Sequence, residues 1–235
     1  MAPTSERKPS HPTPPAAQAP ARRAALGGLA ACGLLAAAWP LSAQPQQGGG
    51  VPQEGRDYLR LDKPQPVDDP SKPEVIEFFW YSCPHCFEFE PMLNAWSKRQ
   101  GDKVVLKRVP VAFRDSMVPQ IRLYYALESL GKLEELHQAV FNAIHRQRQP
   151  LDTLEQQAGW IAQFGVGKEQ YAQHYNGFST QSKTQRARQM ADAYRIDAVP
   201  TLAVNGRYTT TASLPGIRTS DRLLPVVDYL IGLKR

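Results

Sequence analysis

The sequence predicts an α/β fold with an all-helical segment set inside it, and three stretches carry that prediction. Residues 75–81 are almost wholly apolar, a helical stripe of Cys86, Phe89, Leu93 and Trp96 follows, and residues 103–109 carry Val104, Val105, Leu106 and Val109. That order is a strand–helix–strand unit. From Ala112 to Tyr194 only helical spacing is found. Residues 201–204, then Asn205-Gly206, then residues 207–210 spell a hairpin with a tight turn.

The 235 residues suffice for one or two domains, and 42% hydrophobic with 21% charged residues is ordinary for a protein with a packed core. The net charge is +6 at pH 7. Half of it comes from Arg7, Lys8, Arg22 and Arg23 against Glu6, all in the first 43 residues. No basic stripe with interleaved aromatics is present, which argues against a nucleic-acid partner. The three cysteines are Cys32, Cys83 and Cys86. Cys32 lies in the leader, so the rest of the chain holds a single pair and is no disulfide-stapled scaffold.

Residues 1–43 read as an export signal. Arg22-Arg23 precede an apolar block from Ala24 to Trp39, and Leu41-Ser42-Ala43 ends in a small residue suited to cleavage. An uncleaved anchor is the alternative, and the block is short for a span. Residues 44–56 hold Gly48-Gly49-Gly50 and two prolines, and predict a flexible lead-in. Tyr58-Leu59-Arg60-Leu61 fits a short strand, followed by a loop broken by Pro64, Pro66, Pro70 and Pro73.

The run 75–81 suits a central strand buried on both faces. Glu77 is its one charged member, and its position alone leaves two readings: a wet strand end, or a buried carboxylate under a site. The helix that starts at Cys83 should reach about Arg99 and stop at Gly101, with a kink at Pro91, which lacks an N–H. Helical stripes then follow at Ile121, Tyr124 and Leu127, and at Leu133, Leu136, Val140 and Ile144. A third carries Leu154, Ala158 and Ile161 with Asp152 as its cap, and another begins near Ser179. Residues 220–233 close the chain as a helix with Pro225 near its first turn.

The chemistry concentrates at Cys83-Pro84-His85-Cys86. A helix start offers unsatisfied N–H groups and partial positive charge, which stabilise a sulfur anion. Cys83 is placed there, so its pKa should fall and its thiolate should be the nucleophile. Cys86, one turn on, lies on the buried stripe. Pro84 restricts the turn, and His85 can add a positive charge or an N–H donor. A zinc site would need four ligands, and no second pair exists; a purely structural disulfide over so short a loop would stabilise little. Val199-Pro200 precedes the hairpin. A trans bond would simply end a loop, and a cis bond would let Val199 offer its backbone to an extended peptide. The local sequence leaves both open.

Cys83-Pro84-His85-Cys86 after Glu77-Phe78-Phe79, with Val199-Pro200-Thr201 before the last hairpin, resembles the DsbA family of thiol:disulfide oxidoreductases over roughly residues 57–235. The resemblance implies a thioredoxin-like fold in two parts, residues 57–111 and 195–235, with residues 112–194 as a helical insertion. It implies Cys83 as nucleophile, Cys86 as the resolving partner, and His85 and Pro84 as residues that tune the pair. It further implies Glu77 as a buried carboxylate beneath the site, and Val199 with a cis Pro200 as the substrate contact. The function implied is donation of a disulfide to newly exported, unfolded proteins in the periplasm, with reoxidation by a membrane quinone oxidoreductase of the DsbB type. Neither a cofactor nor a metal is called for, and a monomer is expected. The alternatives are a reductase or isomerase on the same fold, or a non-catalytic peptide-binding or chaperone module. Pro91, the long basic leader and the proline-rich loop 62–73 depart from the family pattern without touching the motif.

Overall fold

A computed structural model describes residues 50–233. The expected export signal, and residues 44–49 of the lead-in, lie outside the described residues. The remainder of the lead-in is held in place. Gln53 donates its N–H to Asp57 Oδ2 at 2.9 Å, and Arg56 accepts the Gly216 N–H at 2.8 Å. Asp57 is buried, so this turn is anchored against the end of the chain's last loop.

Five strands form one mixed sheet. They are β1 (Leu59–Arg60), β2 (Glu74–Phe79), β3 (Val105–Pro110), β4 (Thr201–Val204) and β5 (Tyr208–Thr211), in the spatial order β1-β5-β4-β2-β3. Only β2 and β3 are parallel; the other pairs are antiparallel. All six residues of β2 are buried. That is why its sequence reads as a continuous run instead of alternating.

Helix α1 (Pro84–Gln100) is the crossover from β2 to β3. It runs through Pro91 as one helix and ends at Gly101, whose φ of 54° is a value glycine adopts freely. Five helices then follow between β3 and β4: α2 (Val118–Ser129), α3 (Leu133–His145), α4 (Leu154–Ile161), α5 (Lys168–Asn176) and α6 (Phe178–Ala193). The cap of α4 is Thr153, not Asp152. Thr153 and Gln156 satisfy each other's orphan backbone donors in a capping box, which Asp152 cannot do from one residue further out. The last helix, α7 (Leu223–Gly232), follows a short 3-10 turn at Ser220–Arg222. Pro225 lies in its first turn, where no N–H is missed.

The β4–β5 turn uses Asn205 and Gly206, both at positive φ (52° and 63°), and Arg207 donates its N–H to the Val204 carbonyl at 3.0 Å. Two apolar clusters form the core. One joins Phe78, Phe79, Cys83 and Cys86 to Tyr124, Leu127, Val140, Phe141 and other residues of α2 to α6. The second joins Val75, Phe89, Leu93 and Trp96 to Leu202, Val204 and the inner face of α7. Helix α1 contributes to both, with Cys83 and Cys86 at its start in the first and Phe89, Leu93 and Trp96 in the second.

Candidate active site

The register of the sheet brings the distant parts of the site together. β2 and β4 are antiparallel, with Phe78 opposite Thr201. Chain leaving β2 toward Cys83 therefore passes chain entering β4 through Val199-Pro200. The Val199–Pro200 bond is cis, and Cys83 Sγ lies 3.5 Å from the Val199 carbonyl oxygen. Two threonines hold this entry: Thr201 donates its hydroxyl to the Ala198 carbonyl at 2.7 Å, and Thr211 to the Pro200 carbonyl at 3.0 Å.

Cys83 is the N-cap of α1, with extended backbone (φ −80°, ψ 118°). Its sulfur accepts the Cys86 N–H at 3.4 Å. A cap normally offers oxygen to that donor; here a sulfur takes the place and gains from its own ionisation. Cys83 is 6% exposed and Cys86 is fully buried, and both are free thiols. The Cys86 thiol, donating to the Cys83 sulfur, draws the Cys83 pKa down to about 6. Burial opposes this, and the backbone N–H groups of Cys86 and His85 assist it. Burial drives the Cys86 thiol well above its ordinary value, and the adjacent Cys83 adds to it. The pair is thus split into one sulfur that ionises near neutrality and one that keeps its proton. Pro84 and His85 lie on the exposed surface of the first helical turn.

Glu77 is wholly buried in the middle of β2, and its register partner on β3 is Arg108. Arg108 Nε stands 3.3 Å from Glu77 Oε2, but neither carboxylate oxygen finds a hydrogen bond. Burial first, and then the nearby Glu90, push the Glu77 pKa up to about 8 against the pull of Arg108. Glu90 is better served. Arg108 Nη2 donates to it at 2.9 Å and Asn94 Nδ2 at 2.8 Å, and His137 Nε2 faces it at 3.4 Å. Burial works against its charge, but His137 and Arg108 outweigh that and hold Glu90 below the usual carboxylate range. Burial also depresses the His137 imidazole, and Arg108 is the standing cation beside the two carboxyl groups. On its other side His137 Nδ1 meets the Tyr81 hydroxyl at 2.8 Å.

A groove of about 630 Å³ opens beside the cysteine pair, lined by His85, Glu88, Met92, Val199, Arg218 and Asp221 among others.

All seven residues singled out in the sequence fall in or around one site. Cys83, Pro84, His85 and Cys86 form the start of α1, Glu77 lies in the strand leading to them, and Val199-Pro200 face the sulfur. Sequence reasoning missed Glu90, Arg108 and His137. Glu90 had a signal, being a carboxylate four residues past Cys86 on the same buried stripe. Arg108 had a weaker one as a charge inside an apolar strand. His137 comes from α3, and nothing local marks it.

Comparison with known proteins bears on the same site. A model described as a DSBA-like thioredoxin domain matches residues 109–224. The thiol:disulfide interchange protein DsbA of Burkholderia cepacia is 44% identical over 191 residues, covering 79% of this chain and 87% of the relative. The chain belongs to the DsbA family. The Pseudomonas aeruginosa DsbA sequence is 38% identical over 77% of this chain and 85% of its own length. Among solved structures, P. aeruginosa DsbA superposes with a TM-score of 0.70 at 37% identity, covering 75% of this chain and 91% of that one. The DsbA oxidoreductase of Xylella fastidiosa gives 0.71 at 33% identity, covering 77% and 97%. The protein is therefore a thiol:disulfide oxidoreductase with the thioredoxin-like DsbA fold and its helical insertion. The matched family segment begins after the cysteine pair, so the roles within the pair rest on this chain's own geometry.

Proposed function

We propose that this protein donates a disulfide to newly exported proteins through Cys83 and Cys86. The observation that carries the proposal is the Cys83 sulfur seated as the cap of α1, 3.4 Å from the Cys86 N–H. A substrate thiolate attacks Cys83 Sγ of the oxidised pair. The Cys83–Cys86 bond breaks, Cys86 leaves with the electron pair and takes up a proton, and a mixed disulfide forms. A second substrate thiolate then attacks the substrate sulfur of that bond. Cys83 leaves as a thiolate, the substrate has lost two electrons, and the pair has gained them. Stabilising the Cys83 thiolate favours the dithiol form and makes the disulfide oxidising.

Glu77 is assigned the proton next to Cys86, since a carboxyl with a pKa of about 8 still carries one at neutral pH. Val199 presents its backbone to an extended substrate segment in the groove, with Pro200 fixing its direction. Pro84 and His85 tune the pair from the first turn. We assign the protein to the periplasm after removal of residues 1–43, acting as a monomer. A membrane quinone oxidoreductase of the DsbB type restores the disulfide. In this reading residues 57–111 and 195–235 make up the thioredoxin-like domain, and residues 112–194 the insertion.

The reduction potential, measured by equilibration with glutathione, tests the direction of the reaction. The expected value is far more oxidising than the roughly −270 mV of thioredoxin. A thioredoxin-like value would assign a reductase instead. Cys83→Ser separates catalysis from a binding role, because it abolishes disulfide donation and would leave a chaperone-like activity intact.

A further inference from the structure

We infer that Gln120 is a positioning residue for the nucleophile: its carboxamide clamps Ser82, the residue before Cys83, to the loop that joins α3 to α4. The inference rests on the assignment of Cys83 as nucleophile made above.

Gln120 lies in the first turn of α2 and is 2% exposed. A buried carboxamide is costly unless its donors and acceptor are met. Here they are met on both sides. Oε1 accepts the Ser82 N–H at 3.2 Å, and Nε2 lies 2.6 Å from Ser82 Oγ. Nε2 also reaches Asp152 Oδ1 at 2.9 Å and the Pro150 carbonyl at 3.3 Å. One side chain thus holds both the backbone and the side chain of Ser82.

The loop on the far side is an unusual anchor. Arg148 and Leu151 have φ of 56° and 47°, in the left-handed region that non-glycine residues rarely adopt. Surroundings must over-determine such a backbone for it to persist. Leu151 is buried, and its carbonyl accepts a 2.8 Å hydrogen bond from Gln157 Nε2, another buried glutamine, which in turn takes the Tyr171 hydroxyl at 2.7 Å. The loop is therefore stiff, and Gln120 passes that stiffness to Ser82.

The consequence for Cys83 is geometric. Its N–H is tied to the Trp80 carbonyl at 3.0 Å, and with Ser82 clamped the peptide entering Cys83 has no freedom to turn. Only then does its sulfur sit against the Cys86 N–H. Loss of the clamp frees Ser82 and lengthens that contact, and a hydrogen bond to an anion weakens steeply with distance and misalignment.

The test compares two buried glutamines. Gln120→Met and Gln157→Met each delete one carboxamide at the same loop, but only Gln120 touches Ser82. Thiolate ultraviolet absorbance of the reduced protein is titrated for both, with thermal unfolding alongside. Gln120→Met is expected to raise the Cys83 midpoint by about one pH unit, a tenfold loss of thiolate below the midpoint. Gln157→Met is expected to lower thermal stability and leave the midpoint in place. An unmoved midpoint in Gln120→Met, or an equal rise in both variants, overturns the inference. Should Gln120→Met fail to fold, Ser82→Ala removes the 2.6 Å contact alone, and its midpoint must rise by a smaller amount or the inference fails. A wild-type midpoint at the ordinary cysteine value would instead refute the nucleophile assignment itself, so the two failures are distinguishable.

Discussion

Arg108 lies 2.9 Å from Glu90 Oε1 and 3.3 Å from Glu77 Oε2, and the two carboxylates are both buried. Two anions cannot share one guanidinium equally in a medium of low dielectric. Glu90 adds Asn94 to its partners, while Glu77 has no hydrogen bond at all, so Glu77 is the one that keeps its proton. The pH dependence follows in sign. Glu77 titrates at about 8 in the fold against 4.5 when unperturbed. Between those values the unfolded chain has lost the proton that the folded chain holds, so this residue removes stability as pH rises from 4.5 toward 8. Glu77→Gln is isosteric and neutral, and it should stabilise the protein by roughly 1–3 kcal/mol at pH 7. Thermal unfolding across pH checks this: the gain should vanish below pH 4.5, and a gain independent of pH would contradict the assignment.

At the scale of elements, helix α1 and the β4–β5 hairpin were legible because their signals are local. The stripe Cys86, Phe89, Leu93 and Trp96 sets the helix, and all four are buried. Asn205-Gly206 sets the turn. A Cβ on Gly206 would meet the Gln65 carbonyl oxygen at 2.1 Å, and its φ is +63°. Gly206→Ala should therefore lower stability by more than about 1 kcal/mol, by backbone strain and by displacing the proline-rich loop, read as a drop in denaturation midpoint. Cys83 was legible as the start of α1 for the same local reason. What stayed hidden depends on packing across long sequence separations. The choice between the two geometries at Val199-Pro200 is made by what faces it, and the Gln120 and His137 contacts exist only once α2 and α3 dock. Glu77 was ambiguous because a lone charge in a strand is resolved by what covers it.

For the whole molecule, the two apolar clusters fix α1 between the sheet, the helical segment and α7, and that fixed start is where the redox state couples to folding. In the reduced protein Cys83 ionises at about 6, against 9.0 when unperturbed. From pH 6 to pH 9 the unfolded chain holds a proton that the folded chain has released, so the reduced fold gains stability as pH rises. The oxidised protein has no such thiol, and a disulfide closing so short a loop restrains the unfolded chain little. The reduced form should therefore unfold at the higher temperature, with a gap that widens over that pH window and shrinks below pH 6. Calorimetry on both redox forms measures it, and an oxidised form that is the more stable at pH 8 would contradict it. The most direct test is the thiolate absorbance of the reduced wild-type protein as a function of pH. A single low midpoint near 6, absent in Cys83→Ser, is the expected result. A midpoint near 9.0 would mean that the start of α1 does not stabilise this sulfur as an anion.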